Sequence, residues 1–265
     1  MRRVSRCLIL LALLAPGAAA DERLDAAVRQ YREALKEASP GALYVAMGDE
    51  LFRAKRGPKN ESLESCDFGV GPGVLRGAYA QLPRFFADSG KVEDLESRLM
   101  TCMARIQGFG DEAFPRHARG DPRMAELQRL ALFVASQSNG MPIAAPLEHP
   151  REAEAYRIGE QLFYRRAGAH DFSCATCHTL QGKRVRLQAV ANFTERQAAQ
   201  DAMRTWPAYR VAPGEMQTMQ DWLATCYWAA RHPQLRYGSE VSIALQVFLF
   251  RQAAGGVVDV PGIKR

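Results

Sequence analysis

The motif C-x-x-C-H, which occurs once in this chain at residues 174–178, constrains the fold more than any other feature. Cys174 and Cys177 have the spacing that forms thioether bonds to the two vinyl groups of a c-type haem, and the histidine that follows them is placed to ligate the iron. We therefore predict one covalently attached haem c with His178 as its proximal ligand. A chain that holds such a group must fold as a pocket around it.

Two other uses of a C-x-x-C pair fit this sequence less well. A structural zinc site needs a second pair of ligands, and no other C-x-x-C or histidine pair occurs at a usable spacing. A redox-active dithiol usually follows a strand of a βαβ unit, whereas residues 152–163 have the pattern of a helix. Haem attachment is the favoured interpretation.

The first 20 residues predict export. Three arginines precede an apolar run at residues 7–14, and small residues lead to Ala20. This is the pattern of a cleavable secretory signal peptide. The run is shorter than the ~18 residues that a transmembrane helix needs, and no other run reaches that length. We expect residues 1–20 to be removed after about Ala20, leaving a periplasmic protein without a membrane span.

The charge of the chain excludes one class of partner. The formal net charge is +6, and it falls to +3 when the arginines of the predicted signal are removed. The other basic residues are interspersed with acidic ones. Because proteins that bind nucleic acids usually concentrate their basic residues in a patch, we expect no nucleic-acid partner.

The rest of the chain contains an internal repeat. The sequence G-D-E-L-F at residues 48–52 returns as G-E-Q-L-F at residues 159–163, at an offset of 111. At this offset the haem motif lies over residues 63–67, where Cys66 is present but the other cysteine and the histidine are not. Related elements joined by loops of different length give offsets that are constant within blocks. The matching pairs at an offset of 124 are Pro83 with Pro207, Gly90 with Gly214, Leu99 with Leu223, Thr101 with Thr225 and Cys102 with Cys226.

Four segments carry apolar residues at spacings of three and four, which predicts amphipathic helices. They are residues 95–106, 124–135, 216–230 and 241–253. Alternating patterns typical of strands are nearly absent. We therefore predict an all-α protein with two tandem cytochrome c-like domains. The first, residues 21–146, has no haem, and the second, residues 147–265, binds it.

The cysteines divide into groups. Cys7 leaves with the signal peptide, so five of the six cysteines remain, and the haem uses two of them. In the first half, Cys66 and Cys102 occupy the places that Cys177 and Cys226 occupy in the second. If the first half has lost its haem, its vacated pocket lets these two thiols approach, and an oxidising compartment favours a disulfide between them. Cys226 is then unpaired.

An unpaired cysteine in an exported protein is either a buried core thiol or a reactive one. Cys226 follows the haem motif by 48 residues and lies on a predicted helix, in the region from which a cytochrome c usually presents its distal iron ligand. Met216 and Met219 compete for this role, since methionine is the usual distal ligand of an electron carrier. An electron-carrier or binding cytochrome in which Cys226 is not catalytic therefore stands as the alternative to an enzyme.

Eight segments, which together span most of the chain after the predicted signal, carry a resemblance to a known family. They are residues 65–69, 71–73, 77–83, 94–98, 172–178, 219–220, 226–227 and 237–240. In these segments the chain resembles SoxA, the larger cytochrome subunit of the SoxAX complex, a family of L-cysteine S-thiosulfotransferases in periplasmic thiosulfate oxidation. The absence of a first haem motif matches the single-haem branch of the family, in which a disulfide replaces that haem.

The resemblance implies a role for each site residue. Cys174 and Cys177 would hold the haem, and His178 and Cys226 would be its axial ligands. Cys226 would also be the catalytic residue, and would carry a persulfide. The reaction would join thiosulfate to a cysteine of a SoxYZ-like carrier protein. Two electrons would pass through a SoxX-like small cytochrome subunit to a soluble cytochrome c.

The sequence departs from the family at one position. An arginine usually stands one helical turn before the catalytic cysteine, but this chain has Trp222 there. The first half instead has Arg98 four residues before Cys102. Because thiosulfate is a dianion, its site needs a nearby cation. Arg231 and Arg251 are the candidates for this substrate-binding role.

Overall fold

The computed structural model describes residues 40–115, 121, 123–185 and 188–264, together with isolated positions between 23 and 34. The predicted signal peptide lies outside these residues. Residues 1–38 and 39–265 are separate compact units, and the described positions of the first unit are helical. Among the described residues, no helix has the length and apolar character needed to cross a bilayer.

Helices alternate with short strands along the second unit. Three short helical turns also occur, at Tyr79–Gln81, Met103–Gln107 and Asp111–Ala113. The described helices and strands are, in chain order, α1 (Gly41–Arg53), β1 (Arg84–Phe86), β2 (Lys91–Glu93), α2 (Leu95–Cys102), α3 (Met124–Ser136), α4 (Pro150–Tyr164), α5 (Cys174–His178), β3 (Arg184–Val185), β4 (Gln188–Ala189), α6 (Arg196–Met203), β5 (Ala208–Arg210), β6 (Glu215–Gln217), α7 (Met219–Ala229), α8 (Glu240–Gln252) and β7 (Gly262–Lys264).

The chain is largely helical, as predicted, but it is not all-α. The predicted helix at residues 216–230 starts only at Met219, because Met216 lies in β6 and pairs with Tyr209 of β5. β5 also pairs in parallel with β7, which gives a small three-stranded sheet. The strands have only two or three residues each, too few to produce a period-two pattern in the sequence.

In each half of the chain, the first and last helices cross at a glycine. A Cβ at Gly48 of α1 would overlap the backbone of Arg129 in α3, and a Cβ at Gly159 of α4 would overlap the backbone of Ala244 in α8. These positions correspond in the repeat. Glycine is required because the backbones approach more closely than any side chain allows. The core that surrounds the two crossings includes Phe52, Leu130, Phe163, Leu245 and Phe248.

The strand hairpins repeat in the same way. β1 and β2 are joined by a turn with Gly90 at φ 68°, and β5 and β6 by a turn with Gly214 at φ 71°. In both turns the glycine amide donates to the carbonyl of the last residue of the preceding strand, at 2.9 Å. Left-handed backbone favours glycine. Each hairpin leads directly into the helix that carries the last cysteine of its half, Cys102 or Cys226.

In the first half, the expected disulfide is confirmed. Cys66 and Cys102 are bonded, with their Cα atoms 5.7 Å apart, and both side chains are buried. The bond joins the loop that corresponds to the haem motif with α2, which corresponds to α7. The bond therefore links two segments whose counterparts in the second half carry Cys177 and Cys226.

A buried polar cluster joins the two halves. Asp94 caps α2 and accepts hydrogen bonds from the amides of Gln220, at 2.6 Å, and Gln246. Asp221 of α7 accepts from Gln128 of α3 at 2.9 Å. Since buried polar groups are costly unless they are paired, these contacts fix how α7 lies against the first half.

Removal of the disulfide should destabilise the protein. It closes a loop of 36 residues, and the chain-entropy model gives such a bond about 3 to 4 kcal/mol. We expect a variant with both Cys66→Ala and Cys102→Ala to lose about this much free energy of unfolding in urea titrations. Wild-type protein treated with reductant serves as the control and should show a similar loss. If neither treatment moved the urea midpoint, the bond would not stabilise the fold.

Asp221 should make stability depend on pH. Burial raises the pKa of Asp221 to about 7 in the folded protein, whereas an unfolded aspartate titrates near pH ~4. The folded state therefore holds this proton more tightly, and the contribution to the free energy of unfolding is full below about pH 4 and is lost as the pH rises to about 7. Asp221→Asn should remove that component from urea titrations run across this range. Glu160→Gln changes an exposed carboxylate and should leave the pH dependence unaltered; equal slopes in wild type and Asp221→Asn would contradict the assignment.

Candidate haem and thiol site

The C-x-x-C-H residues form the short helix α5. Ser173 caps its N-terminus and accepts a hydrogen bond from the Thr176 amide at 3.1 Å, while the Thr176 hydroxyl accepts from the Ser173 amide at 2.9 Å. This reciprocal cap fixes the first turn. Cys174 and Cys177 lie three residues apart, so they share one face of the turn. Both thiols are free and half-buried.

His178 is oriented by the backbone. Its Nδ1 lies 2.8 Å from the carbonyl oxygen of Ala191, to which it donates in the neutral tautomer. Burial lowers the pKa of His178, so this neutral form is favoured. A carbonyl at Nδ1 leaves Nε2 with its lone pair available, which is the arrangement of a histidine that ligates a metal.

Cys226 lies in the middle of α7, whose start is fixed by a reciprocal cap. Asp221 accepts hydrogen bonds from the amide and the hydroxyl of Thr218, at 2.7 and 3.1 Å. Thr225, next to the cysteine, donates its hydroxyl to the Asp221 carbonyl at 3.0 Å. These bonds hold the helix turn that carries the free thiol of Cys226.

The thiol of Cys226 interacts electrostatically with the haem motif. Its pKa is raised to about 12, chiefly by burial and next by the charge of Cys174; the charge of Arg210 acts in the opposite direction, and that of Cys177 adds a smaller increase. Burial also raises the pKa of Cys174 to about 11. The three thiols therefore share one poorly solvated space.

The residues around this space fit a c-type haem. Cys174 and Cys177 would carry the thioether bonds, and His178 presents a free ring nitrogen from the same helix. Cys226, on α7, interacts electrostatically with both of these cysteines. A low-dielectric site disfavours a free thiolate, but an iron ion would stabilise one.

The two methionines that compete with Cys226 are buried elsewhere. Met216 lies in β6 and is 1% exposed. Met219 is the first residue of α7 and lines a small cavity between the halves, next to Asp94 and Gln246. These positions favour Cys226 as the residue that faces the haem motif.

The two arginines expected to bind substrate lie at the surface. Arg231 follows the end of α7, and its guanidinium lies 5.1 Å from the centre of the Trp228 ring. Arg251, near the end of α8, donates to the carbonyl oxygen of Ala145 at 3.4 Å. The charge that acts on Cys226 instead comes from Arg210, a residue that the sequence analysis did not select.

Arg210 lies over Trp222, the residue found where the family usually has an arginine. Its guanidinium carbon is 4.1 Å from the centre of the Trp222 ring, whose other neighbour is Trp206, with ring centres 5.9 Å apart. Comparison of the halves could have revealed this cation, because Arg210 aligns with Phe86 and Trp222 aligns with Arg98 at the offset of 124.

Comparisons with known proteins give the family and the fold. Residues 47–143 match the family of SoxA/TsdA cytochrome c domains, and this match falls on the half that lacks the C-x-x-C-H motif. The crystal structure of SoxXA from P. pantotrophus matches with a TM-score of 0.73 at 22% identity. The match covers 89% of this chain and 84% of that chain. At that identity, it supports the fold.

Two relatives are closer in sequence. The L-cysteine S-thiosulfotransferase subunit SoxA of Hydrogenophilus thermoluteolus is 42% identical over 98% of this chain and 96% of its own length. The subunit of the same name from Hydrogenobacter thermophilus is 36% identical over 85% and 82%. A cytochrome c domain binds its haem covalently, and residues 174–178 are the C-x-x-C-H segment in this chain. The chain therefore belongs to the SoxA family of L-cysteine S-thiosulfotransferase subunits.

Proposed function

We propose that this chain is the catalytic subunit of a periplasmic enzyme that attaches thiosulfate to a cysteine of a carrier protein. One haem c would be bound through Cys174 and Cys177, with His178 and Cys226 on its two sides, and Cys226 would be the catalytic residue. The observation that carries the proposal is the position of Cys226: a free, half-buried thiol on α7 whose pKa responds to both cysteines of the haem motif.

The repeat supports one haem and two cytochrome c-like domains. The first, residues 21–146, matches a cytochrome c family over residues 47–143 although it has no C-x-x-C-H motif. Its Cys66–Cys102 bond joins the same two elements that would face the haem in the second domain, residues 147–265. A domain that replaced its haem with a disulfide would show this pattern.

The reaction joins two sulfur atoms that are both nucleophiles. The outer sulfur of thiosulfate forms a bond with the carrier cysteine sulfur, the cysteine loses one proton, and two electrons must leave. A bound c-type haem supplies an acceptor for one electron at a time. A second redox centre is then needed, and a SoxX-like small cytochrome subunit followed by a soluble cytochrome c would provide it. The SoxXA structure that matches this fold is consistent with such a partner.

Cys226 would act as a persulfide. The two-electron oxidation would join the outer sulfur of thiosulfate to the terminal sulfur of that persulfide. The cysteine of a SoxYZ-like carrier protein, having lost its proton, would then attack the outer sulfur of the bound thiosulfate; the new sulfur–sulfur bond forms as the bond to the persulfide breaks, and the Cys226 persulfide leaves unchanged. The half-buried position of Cys226 screens the thiol partly from bulk water.

Replacement of Cys226 tests the proposal. We expect Cys226→Ser and Cys226→Ala to retain the covalent haem, held by Cys174 and Cys177, but to lose thiosulfate-dependent reduction of cytochrome c by on the order of 10³-fold, since a residue that carries the reacting group has no substitute. Turnover would be measured with the assembled complex and carrier protein. A mass spectrum of the wild-type Cys226 peptide should show about 32 Da of additional sulfur.

The double variant Cys66→Ala, Cys102→Ala is the matched control, because it also removes cysteines but none near the haem motif. At a temperature where it is folded, it should turn over normally. If the Cys226 variants kept wild-type turnover, the electron-carrier alternative would be correct and Cys226 would not be catalytic.

A further inference from the structure

Arg210 is a partly buried cation without an acidic partner among the described residues. No ion pair joins its guanidinium to a described carboxylate, and its Nε atom is buried without a hydrogen-bond partner. Glu215 is its cross-strand neighbour in the hairpin, but the Glu215 carboxylate accepts from Gln217 at 2.7 Å. A guanidinium removed from water in this way is costly unless an anion joins it.

The first half contains the same pair with its members exchanged. There the arginine, Arg98, is on the helix and lies 4.1 Å from the ring centre of Phe86 on the strand. In the second half the aromatic residue, Trp222, is on the helix and the arginine, Arg210, is on the strand, again at 4.1 Å. In each half, therefore, one guanidinium lies against one aromatic ring, and one member of the pair belongs to the helix that carries Cys102 or Cys226.

The two cations differ in how they are neutralised. Asp88 binds Arg98 through both carboxylate oxygens at 2.9 Å, and Glu93 lies 3.3 Å away. At the offset of 124, these acids correspond to Ala212 and Gln217, which carry no charge. The half with the disulfide has a neutralised arginine. In the half with the free Cys226 thiol, Arg210 has no such carboxylate among the described residues and is available to bind an external anion.

The position of this cation defines the ligand. The guanidinium carbon of Arg210 lies 4.1 Å from the centre of the Trp222 ring, and Trp222 stands one helical turn before Cys226 on α7. Residues four apart on a helix are neighbours on its surface, so an anion bound to Arg210 would be held near that thiol. Thiosulfate presents three oxygens on one sulfur and the reacting sulfur on the other side. A guanidinium offers parallel N–H donors that match two oxygens of such a group. With the oxygens on Arg210, the outer sulfur would be free to face Cys226.

We propose, on the basis of the proposed function, that Arg210 binds the oxygen end of thiosulfate and orients its outer sulfur toward Cys226. The ring of Trp222 supports the guanidinium. Arg210 thus supplies the positive charge that the family usually places at position 222. The ring keeps the guanidinium in place from its other face and shields it from water.

The test is direct binding of thiosulfate to the full-length oxidised holoprotein, measured by isothermal titration calorimetry. Loss of charge-assisted hydrogen bonds weakens binding by about 10- to 100-fold. We therefore expect Arg210→Gln to raise the dissociation constant of thiosulfate by that factor, and Arg210→Lys to restore part of the affinity. Arg157→Gln, which removes the same charge from an exposed position on α4, is the control and should bind normally.

A second readout separates substrate binding from a contact with the haem carboxylates. If Arg210 binds thiosulfate, the midpoint potential and absorption spectrum of the haem should be the same in Arg210→Gln and wild type, and KM in turnover should rise more than kcat falls. Unchanged thiosulfate affinity in Arg210→Gln would overturn the proposal, whether or not the haem potential shifts. Since binding is measured without turnover, this result stands apart from the Cys226 test of the proposed function.

Discussion

The close approach of the first and last helices in each half is the constraint on which the other features depend. At Gly48 and Gly159 the helix backbones touch without an intervening side chain, and this crossing sets the frame that carries the remaining elements. In each half, a turn with a glycine joins the two strands of a short hairpin, and the hairpin is followed directly by a helix that carries a cysteine. Two copies of one framework therefore bring the same positions together, whichever residues occupy them.

The two halves fill that common centre with different chemistry. In the first, Cys66 and Cys102 close it with a covalent bond. In the second, the equivalent Cys177 and Cys226 stay apart as thiols, with Cys174 and His178 added beside them. A disulfide needs two sulfurs in contact, whereas a covalently bound haem would take Cys177 into a thioether bond and leave Cys226 as a separate thiol. The first half thus gains stability from its cross-link, and the second keeps the thiols that we propose as the haem and substrate site.

The arginine and aromatic pair shows a similar divergence. Arg98 is neutralised by Asp88 and Glu93 and has become part of the first half's internal structure. Arg210 has no such partner among the described residues, and it is the charge that acts on Cys226. In each half, the strand position and the helix position of this pair are in contact. An arginine at either position therefore lies in the same region of the half. A substitution that removes the charge from the helix need not remove it from the site.

The haem motif, the internal repeat, most of the helical segments and the Cys66–Cys102 bond can be predicted from the sequence, because they depend on fixed spacings and on residues without substitutes. The strands cannot, because they are too short to leave a pattern, and Met216, which the pattern predicts to be helical, lies in β6. Distance along the chain points to Arg231, and a position on the last helix points to Arg251, rather than to Arg210. The tertiary structure is needed to identify the cation whose charge acts on Cys226, since electrostatic interactions depend on separation in space and on burial, and neither is encoded in sequence distance.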